Sequence, residues 1–435
     1  MSNSTRRSLI VVGIIIAAIG LTATLLSFRK SDQSVGRAAP AVAPTAPSDA
    51  LERLSQKVAA NPKDWMSLAA LGEAYVQKAR VSGDPTLYPL ADRALARSLK
   101  INPQGNRPAT IGESSLAAAR HNFSIALDWA QKADAAFPDD PDVKAVLGDA
   151  LVELGRYPEA FGAFQRMVDL RPDLAAYSRV AHARDLQGDV QGAIQALQAA
   201  DASANTNSDA AFTQFSLGEL YWNSGQVDQA LTHYRRSAKL DPSYLPPQAA
   251  LARASFFTGP AGEAAQQYKS VTERNPFPQY VGDYADVAAL TGRNDLVKPQ
   301  LEVLAAQQQL FKANGVNVDV EIALFNVDHG IDLSGSLSAT QAEWARRPSI
   351  TVADDLAWTL HANGRDSEAL AYANQALHLG SRNALYFYHR ARINEALNNH
   401  DAAKADLQQA LAINPNFSIQ HAHEARLWAT QLGIP

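Results

Sequence analysis

The residues able to do chemistry are few and poorly placed for it. Six of the ten histidines fall towards the C-terminus, at His361, His378, His389, His400, His421 and His423. His421 and His423, followed by Glu424, form the densest group of metal-ligand types. On a helix, however, residues two apart point to different sides, so the pair cannot close on one ion. They read instead as exposed polar residues of a terminal helix. Asp139–Asp140 and Asp354–Asp355 could each supply an acid and a base. Both pairs stand where a helix N-terminus is expected, and a carboxylate there caps free N–H groups and offsets the helix dipole. With no cysteine in 435 residues, disulfides, Cys-ligated zinc, iron–sulfur clusters and thiol nucleophiles are excluded, and an oxidising compartment is favoured. Phosphate loops, a GxSxG elbow, HExxH and GxGxxG are missing as well. No catalytic residue, cofactor site or metal site is assigned, and the expected activity is binding rather than catalysis.

Composition sets the class of binding. Hydrophobic residues make up 46% and charged ones 19%, which is enough apolar surface for a folded chain. Thirty-nine Lys plus Arg against 44 Asp plus Glu leave a net charge of −5, so no basic field is present to attract nucleic acid. After a short tail at 1–8, Leu9 to Phe28 runs twenty residues without a charge, long enough for a hydrocarbon core of about 30 Å. Arg29 and Lys30 follow directly where a cleavable signal would place a small-residue site, so 9–28 reads as an uncleaved transmembrane anchor. Basic residues on its two sides nearly balance. The missing cysteines, and the way long downstream domains cross regardless of charge, favour a body on the extracytoplasmic side of an inner (cytoplasmic) membrane. Residues 29–50, with Pro40, Pro44 and Pro47 among alanines, read as a semi-extended tether.

From residue 51 the pattern is helical throughout, with Asn-Pro or Asp-Pro pairs returning about every 34 residues. In the unit starting at Ala211, Leu217, Gly218, Tyr221, Ala230, Tyr234 and Pro242 stand at positions 7, 8, 11, 20, 24 and 32. The unit starting at Pro141 repeats this with Leu147, Gly148, Leu151, Ala160, Phe164 and Pro172. Small residues at 8 and 20 let two helices approach closely, large ones at 7, 11 and 24 fill the remaining space, and proline at 32 stops the second helix. The pattern resembles the tetratricopeptide repeat. That resemblance implies an all-α fold, a right-handed superhelix of helix–turn–helix units, over residues 51–417. Unit starts fall at Trp65, Arg107, Pro141, Leu174, Ala211, Leu245, Pro278, Asn317, Ile350 and Ala384, with a seven-residue insertion around Gly83–Pro89 and a capping helix over Ser418–Leu432 within 418–435. The units at Arg107, Pro278 and Asn317 depart most from the pattern.

The resemblance also implies a concave groove lined by positions 2, 5, 9, 12 and 13 of the first helix of each unit. Carried onto this chain, those positions select Phe212, Phe215, Glu219, Trp222, Asn223, Arg253, Phe256 and Phe257 as a partner-binding groove, with Trp358, His361, Tyr388, Arg392 and Glu395 as a second patch. Aromatic anchors beside a few charges suit peptide recognition. The same side chains could instead be core residues, because positions 12 and 13 can turn towards the neighbouring helix. Chaperone-tail clamps hold a terminal carboxylate with Lys, Asn and Arg at positions 5 and 9; here those positions read Ala145 and Asp149, Ser178 and His182, Phe215 and Glu219, and Ala249 and Arg253, so a two-carboxylate clamp is not present. The expected function is a membrane-anchored scaffold or assembly factor that binds other proteins, or extended segments of them. A holdase-like envelope chaperone using the same groove is the alternative, and an enzyme built on His361, Asp354 or His389 is a third.

Overall fold

The computed structural model describes residues 47–434, and every regular element among them is helical. In chain order the helices are α1 Pro47–Ala60, α2 Trp65–Ser82, α3 Tyr88–Ile101, α4 Arg107–Ala119, α5 Phe123–Ala136, α6 Pro141–Glu153, α7 Tyr157–Leu170 and α8 Leu174–Leu186. They continue as α9 Val190–Ala202, α10 Asn207–Asn223, α11 Val227–Leu240, α12 Pro246–Thr258, α13 Ala261–Arg274, α14 Pro278–Leu290 and α15 Asn294–Ala313. The last are α16 Asp319–Asp328, α17 Leu333–Arg346, α18 Ile350–Ala362, α19 Asp366–Ala376, α20 Ala384–Ala396, α21 His400–Ile413 and α22 Ala422–Gln431.

The starts follow from local capping. Asp64, Asp140 and Ser349 accept from backbone N–H groups two or three residues on, Pro141 and Pro278 occupy first-turn positions, and Thr206 closes a capping box with Asp209. That box starts α10 at Asn207, four residues before the expected Ala211. The seven-residue insertion becomes a 3-10 turn over Pro85–Leu87, capped by Asp84.

From α2 the helices pack in consecutive pairs: α2 on α3, α4 on α5, α6 on α7, α10 on α11, α12 on α13, α16 on α17, α18 on α19 and α20 on α21. Arg184 of α8 donates to the Gly192 carbonyl of α9 at 3.1 Å, and Leu296 of α15 packs on the cluster that holds Tyr284 and Val287 of α14. The small-residue positions explain this pairing. A Cβ on Gly218 would lie 2.5 Å from the Tyr234 ring, so only hydrogen lets α10 and α11 approach closely enough to bury that ring. Ala160, Ala230, Ala264, Ala369 and Ala403, all at position 20, are 0% exposed. Gly225, which turns α10 into α11, sits at φ 72°, a backbone conformation costly for any residue with a Cβ.

Internal contacts divide the described chain into two units, one running to Ala176 and including Leu310–Asn317, the other comprising Tyr177–Gln309 and the chain from Val318 onward. In the first, α1 lays Leu51, Leu54 and Val58 against Leu68, Leu71 and Ala94. The tether reading of 29–50 is corrected at its end, because the helix begins at Pro47. Arg107 bridges Asp140 and Asp142, Arg171 joins Asp142 and Asp173, and the Asn317 amide donates to the Arg120 carbonyl at 3.2 Å.

In the second unit, distant turns meet. A Cβ on Gly225 would lie 2.8 Å from the Ile413 carbonyl oxygen, so the end of α21 rests on the α10–α11 turn. The expected capping helix starts at Ala422 rather than Ser418, and residues 414–421 form a turn-rich connection from α21. No helix among the described residues is long and apolar enough to cross a membrane, and the anchor read at 9–28 lies outside them.

Candidate partner-binding face

Of the eight residues selected for the groove, six come together around one buried charge pair in the second unit. Arg253 of α12 donates to Glu219 Oε1 of α10 at 2.7 Å and to the Tyr234 hydroxyl of α11 at 2.9 Å, while Tyr234 itself donates to Glu219 at 2.5 Å. The guanidinium lies over the Trp222 ring, 4.7 Å from its centroid. Trp222 and Phe257 are 5.8 Å apart between centroids, Phe257 and Phe256 5.0 Å, and Phe215 meets Tyr244 edge-on at 5.8 Å. Burial pushes the Tyr234 hydroxyl far above its usual value, as does the Glu219 carboxylate. Burial opposes the charge on Arg253, but Glu219 outweighs it and raises the guanidinium further. Both Nη atoms of Arg253 bond Glu219 and so tie α12 to α10, while the buried Arg253 Nε has no hydrogen-bond partner among the described residues.

Burial sorts the eight residues. Trp222 and Glu219 are 2% exposed and Phe212 7%, so these three are packing residues and not free anchors. The reason is the one left open by the repeat pattern: the Trp222 indole turns sideways to Phe257 of the next pair. Phe215, Arg253, Phe256 and Phe257 are half-buried and Asn223 is exposed at the end of α10. Sequence reading missed Tyr244, Tyr268 and Asp283, which continue the same face. Tyr268 of α13 donates to Asp283 of α14 at 3.0 Å, and burial together with the neighbouring Asp286 carboxylate pushes Asp283 up to about 7.

In the second patch the aromatics are covered, while His361, Arg392 and Glu395 are half-buried. Trp358 stacks on His389 at 4.1 Å and donates to Asp328 at 2.8 Å; Tyr388 is 1% exposed and stacks on His421 at 5.3 Å. Arg392 pairs with Glu424, and Glu395 with His400 at 3.0 Å. His361 bonds Asp366 at 2.5 Å. Two readings of the acidic and histidine pairs are corrected here. Asp140 does cap α6, but Asp354 and Asp355 lie inside α18, where Ser349 is the cap; Asp354 holds the buried His389 at 2.9 Å. Burial and the adjacent Asp354 push Asp355 far above the carboxylate range. His421 is not an exposed residue of a terminal helix but turns inward to Asp328, at 3.1 Å, whereas His423 is exposed. Burial opposes the charge on Asp328, yet the bonds from His421 and Trp358 hold it below its ordinary value. His329 meets Asp286 at 3.0 Å, and that carboxylate overrides burial to hold the imidazole above its ordinary value. Among the described residues, no group of three His, Cys, Asp or Glu is arranged to hold a metal ion.

The first unit has a cavity of about 370 Å³ between α5, α6 and α7, but its charges are already spent, Lys144 on Asp134 at 2.5 Å and Arg166 on Asp139 at 2.5 Å.

Known proteins match this chain through its repeats. A tetratricopeptide repeat family profile matches residues 111–175 and 147–210, a second matches 211–244 and a third 384–417. Among solved structures, a crystal structure of MamA is 24% identical, with a TM-score of 0.30, over 37% of this chain and 93% of that one. A thermophilic TPR protein of Thermus thermophilus is 20% identical, with a TM-score of 0.37, over 48% of this chain and 98% of that one. No curated protein matches the sequence. Residues 111–244 and 384–417 are thus tetratricopeptide repeats, within an array that is helical throughout its described length.

Proposed function

We propose that the protein is a membrane-anchored interaction scaffold or assembly factor, which binds other proteins through its repeats and works by binding alone. The observation that carries this reading is the half-buried cluster of Phe215, Phe256 and Phe257, arranged on the rigid Glu219–Arg253–Tyr234 frame within repeats of a protein-binding type. The apolar run 9–28 supports an inner-membrane anchor, and the cysteine-free sequence supports a body on the extracytoplasmic side.

The test is affinity capture with the detergent-solubilised full-length protein beside a Phe215→Ala, Phe256→Ala variant. Trp222→Ala is a poor probe, because emptying so buried a site costs about 3–5 kcal/mol of stability and would confuse unfolding with lost contact. A scaffold retains one or two stoichiometric proteins that the folded variant loses. Equal capture by both forms overturns the groove assignment, and a broad, weak client set points to a holdase instead.

A further inference from the structure

The connection between α21 and α22 does more than join two helices. Within five residues it sends four side chains to α20, to the α12–α14 cluster and to the C-terminal end of α16. Phe417 meets the Tyr388 ring of α20 at 5.3 Å. Ile419, 8% exposed, is buried among Ala249 and Ala252 of α12, Tyr268 of α13, and Tyr284 and Val287 of α14, with Phe256 and Phe257 packed against the same cluster. The Gln420 carboxamide lies 3.3 Å from Nε2 of His329, which caps the C-terminus of α16, and His421 bonds Asp328, whose other partner is Trp358 of α18. The segment folds as a turn of its own, with the His421 amide on the Ser418 hydroxyl at 3.2 Å and the Ala422 amide on the Ser418 carbonyl at 3.1 Å. An aliphatic side chain in an apolar pocket, flanked by polar groups on fixed acceptors, is how a groove holds a short peptide.

We propose that the face built by α12, α14 and α16 is a peptide site whose resident ligand is the chain's own Phe417–His421 turn, and that a protein partner enters by presenting the same pattern: a turn with an aliphatic side chain followed by two hydrogen-bonding side chains. The face matches that chemistry: Asp328 bonds the segment's His421 directly, and the His329 that meets Gln420 is itself held by Asp286. Two of the three half-buried phenylalanines of the scaffold reading, Phe256 and Phe257, are continuous with the Ile419 pocket, so this inference rests on that reading and names what its partner must look like. A resident turn weakens the apparent affinity of every partner by the same factor, the inverse of the fraction of time the site is open.

The experiment uses a fluorescein-labelled peptide of residues 414–424, titrated by anisotropy into the full-length protein and into an Ile419→Asp, His421→Ala variant whose helicity is checked by circular dichroism. The variant is expected to bind the peptide at least about tenfold more tightly than the wild type, and the same peptide with aspartate in place of its isoleucine is expected to bind neither. Ile419→Ala, a milder change that keeps the fold should the double variant lose it, is expected to fall between. Folded variants that do not bind the peptide, or that bind it no better than the wild type does, overturn the proposal. If the peptide fails while Phe215→Ala, Phe256→Ala still abolishes partner capture, the resident-ligand inference falls and the scaffold reading stands. If the peptide binds as expected while capture is indifferent to those phenylalanines, the turn stands as a ligand of this face, and the groove assignment falls together with the entry of a partner there.

Discussion

Asp283 is the residue through which the aromatic face should report pH. Its carboxyl, held by the Tyr268 hydroxyl at 3.0 Å and pushed up to about 7, prefers its proton in the folded state. A folded-state value above the unfolded one means that its stabilising contribution is complete below the ordinary value near 3.8 and is lost as pH rises through about 7. Asp283→Asn keeps an acceptor for Tyr268 and removes the charge. It should therefore raise the melting temperature above about pH 7 by a few degrees and flatten its pH dependence between about 4 and 7. Calorimetry at both ends of that range decides it, and a destabilised variant at high pH would refute the argument. Tyr234→Phe tests the charge pair beside it. Loss of the hydroxyl that bridges Glu219 and Arg253 should cost about 1–3 kcal/mol, because a buried charge then lacks one partner, and chemical denaturation measures that directly. These roles are only partly legible in the sequence. Glu219 and Arg253 are visible at repeat positions, whereas Asp283 lies off them and gains its character from burial, which has no sequence signature.

Helix pairing depends on contacts between close neighbours, and its test is a pair of alanine substitutions with opposite signs. Gly218→Ala drives a methyl into the Tyr234 ring and should destabilise by about 1–3 kcal/mol. Gly162→Ala, in the interior of α7 with nothing within 4 Å of its new methyl, should stabilise by about 0.5–1 kcal/mol through helix propensity alone. Thermal melts of both variants separate close packing from propensity; equal effects would sink the close-approach account. At this scale the sequence is informative, because helix period, caps and the small–large alternation lie within a few tens of residues. Its misses are local as well. The Thr206 box lengthens α10, and Asp354–Asp355 stand near an expected helix start whose cap Ser349 already supplies. The terminal helix starts at Ala422 rather than Ser418, because Ile419 is claimed by an apolar cluster that begins 170 residues earlier, at Ala249.

For the whole molecule, the proposed anchor and the repeats make separable predictions. Full-length protein should sediment with membranes and resist extraction by high salt, whereas a chain beginning at residue 47 should remain in the supernatant; full-length protein released by salt alone would rule the anchor out. By itself the sequence determined that the chain is a helical repeat array, where its helix pairs lie, and that no familiar catalytic motif is present, because each of these is written in short-range spacing. It also marked which side chains carry aromatic and charged groups on the first helix of each unit. Only the tertiary structure decided which of those are free. Trp222 and Glu219 are sealed by the next pair, Tyr388 and Trp358 lie under the C-terminal segment, and His421 finds Asp328 across 93 residues. The physical reason is that exposure on a helix face depends on what packs over it, and here the covering residues come from parts of the chain that no local period connects.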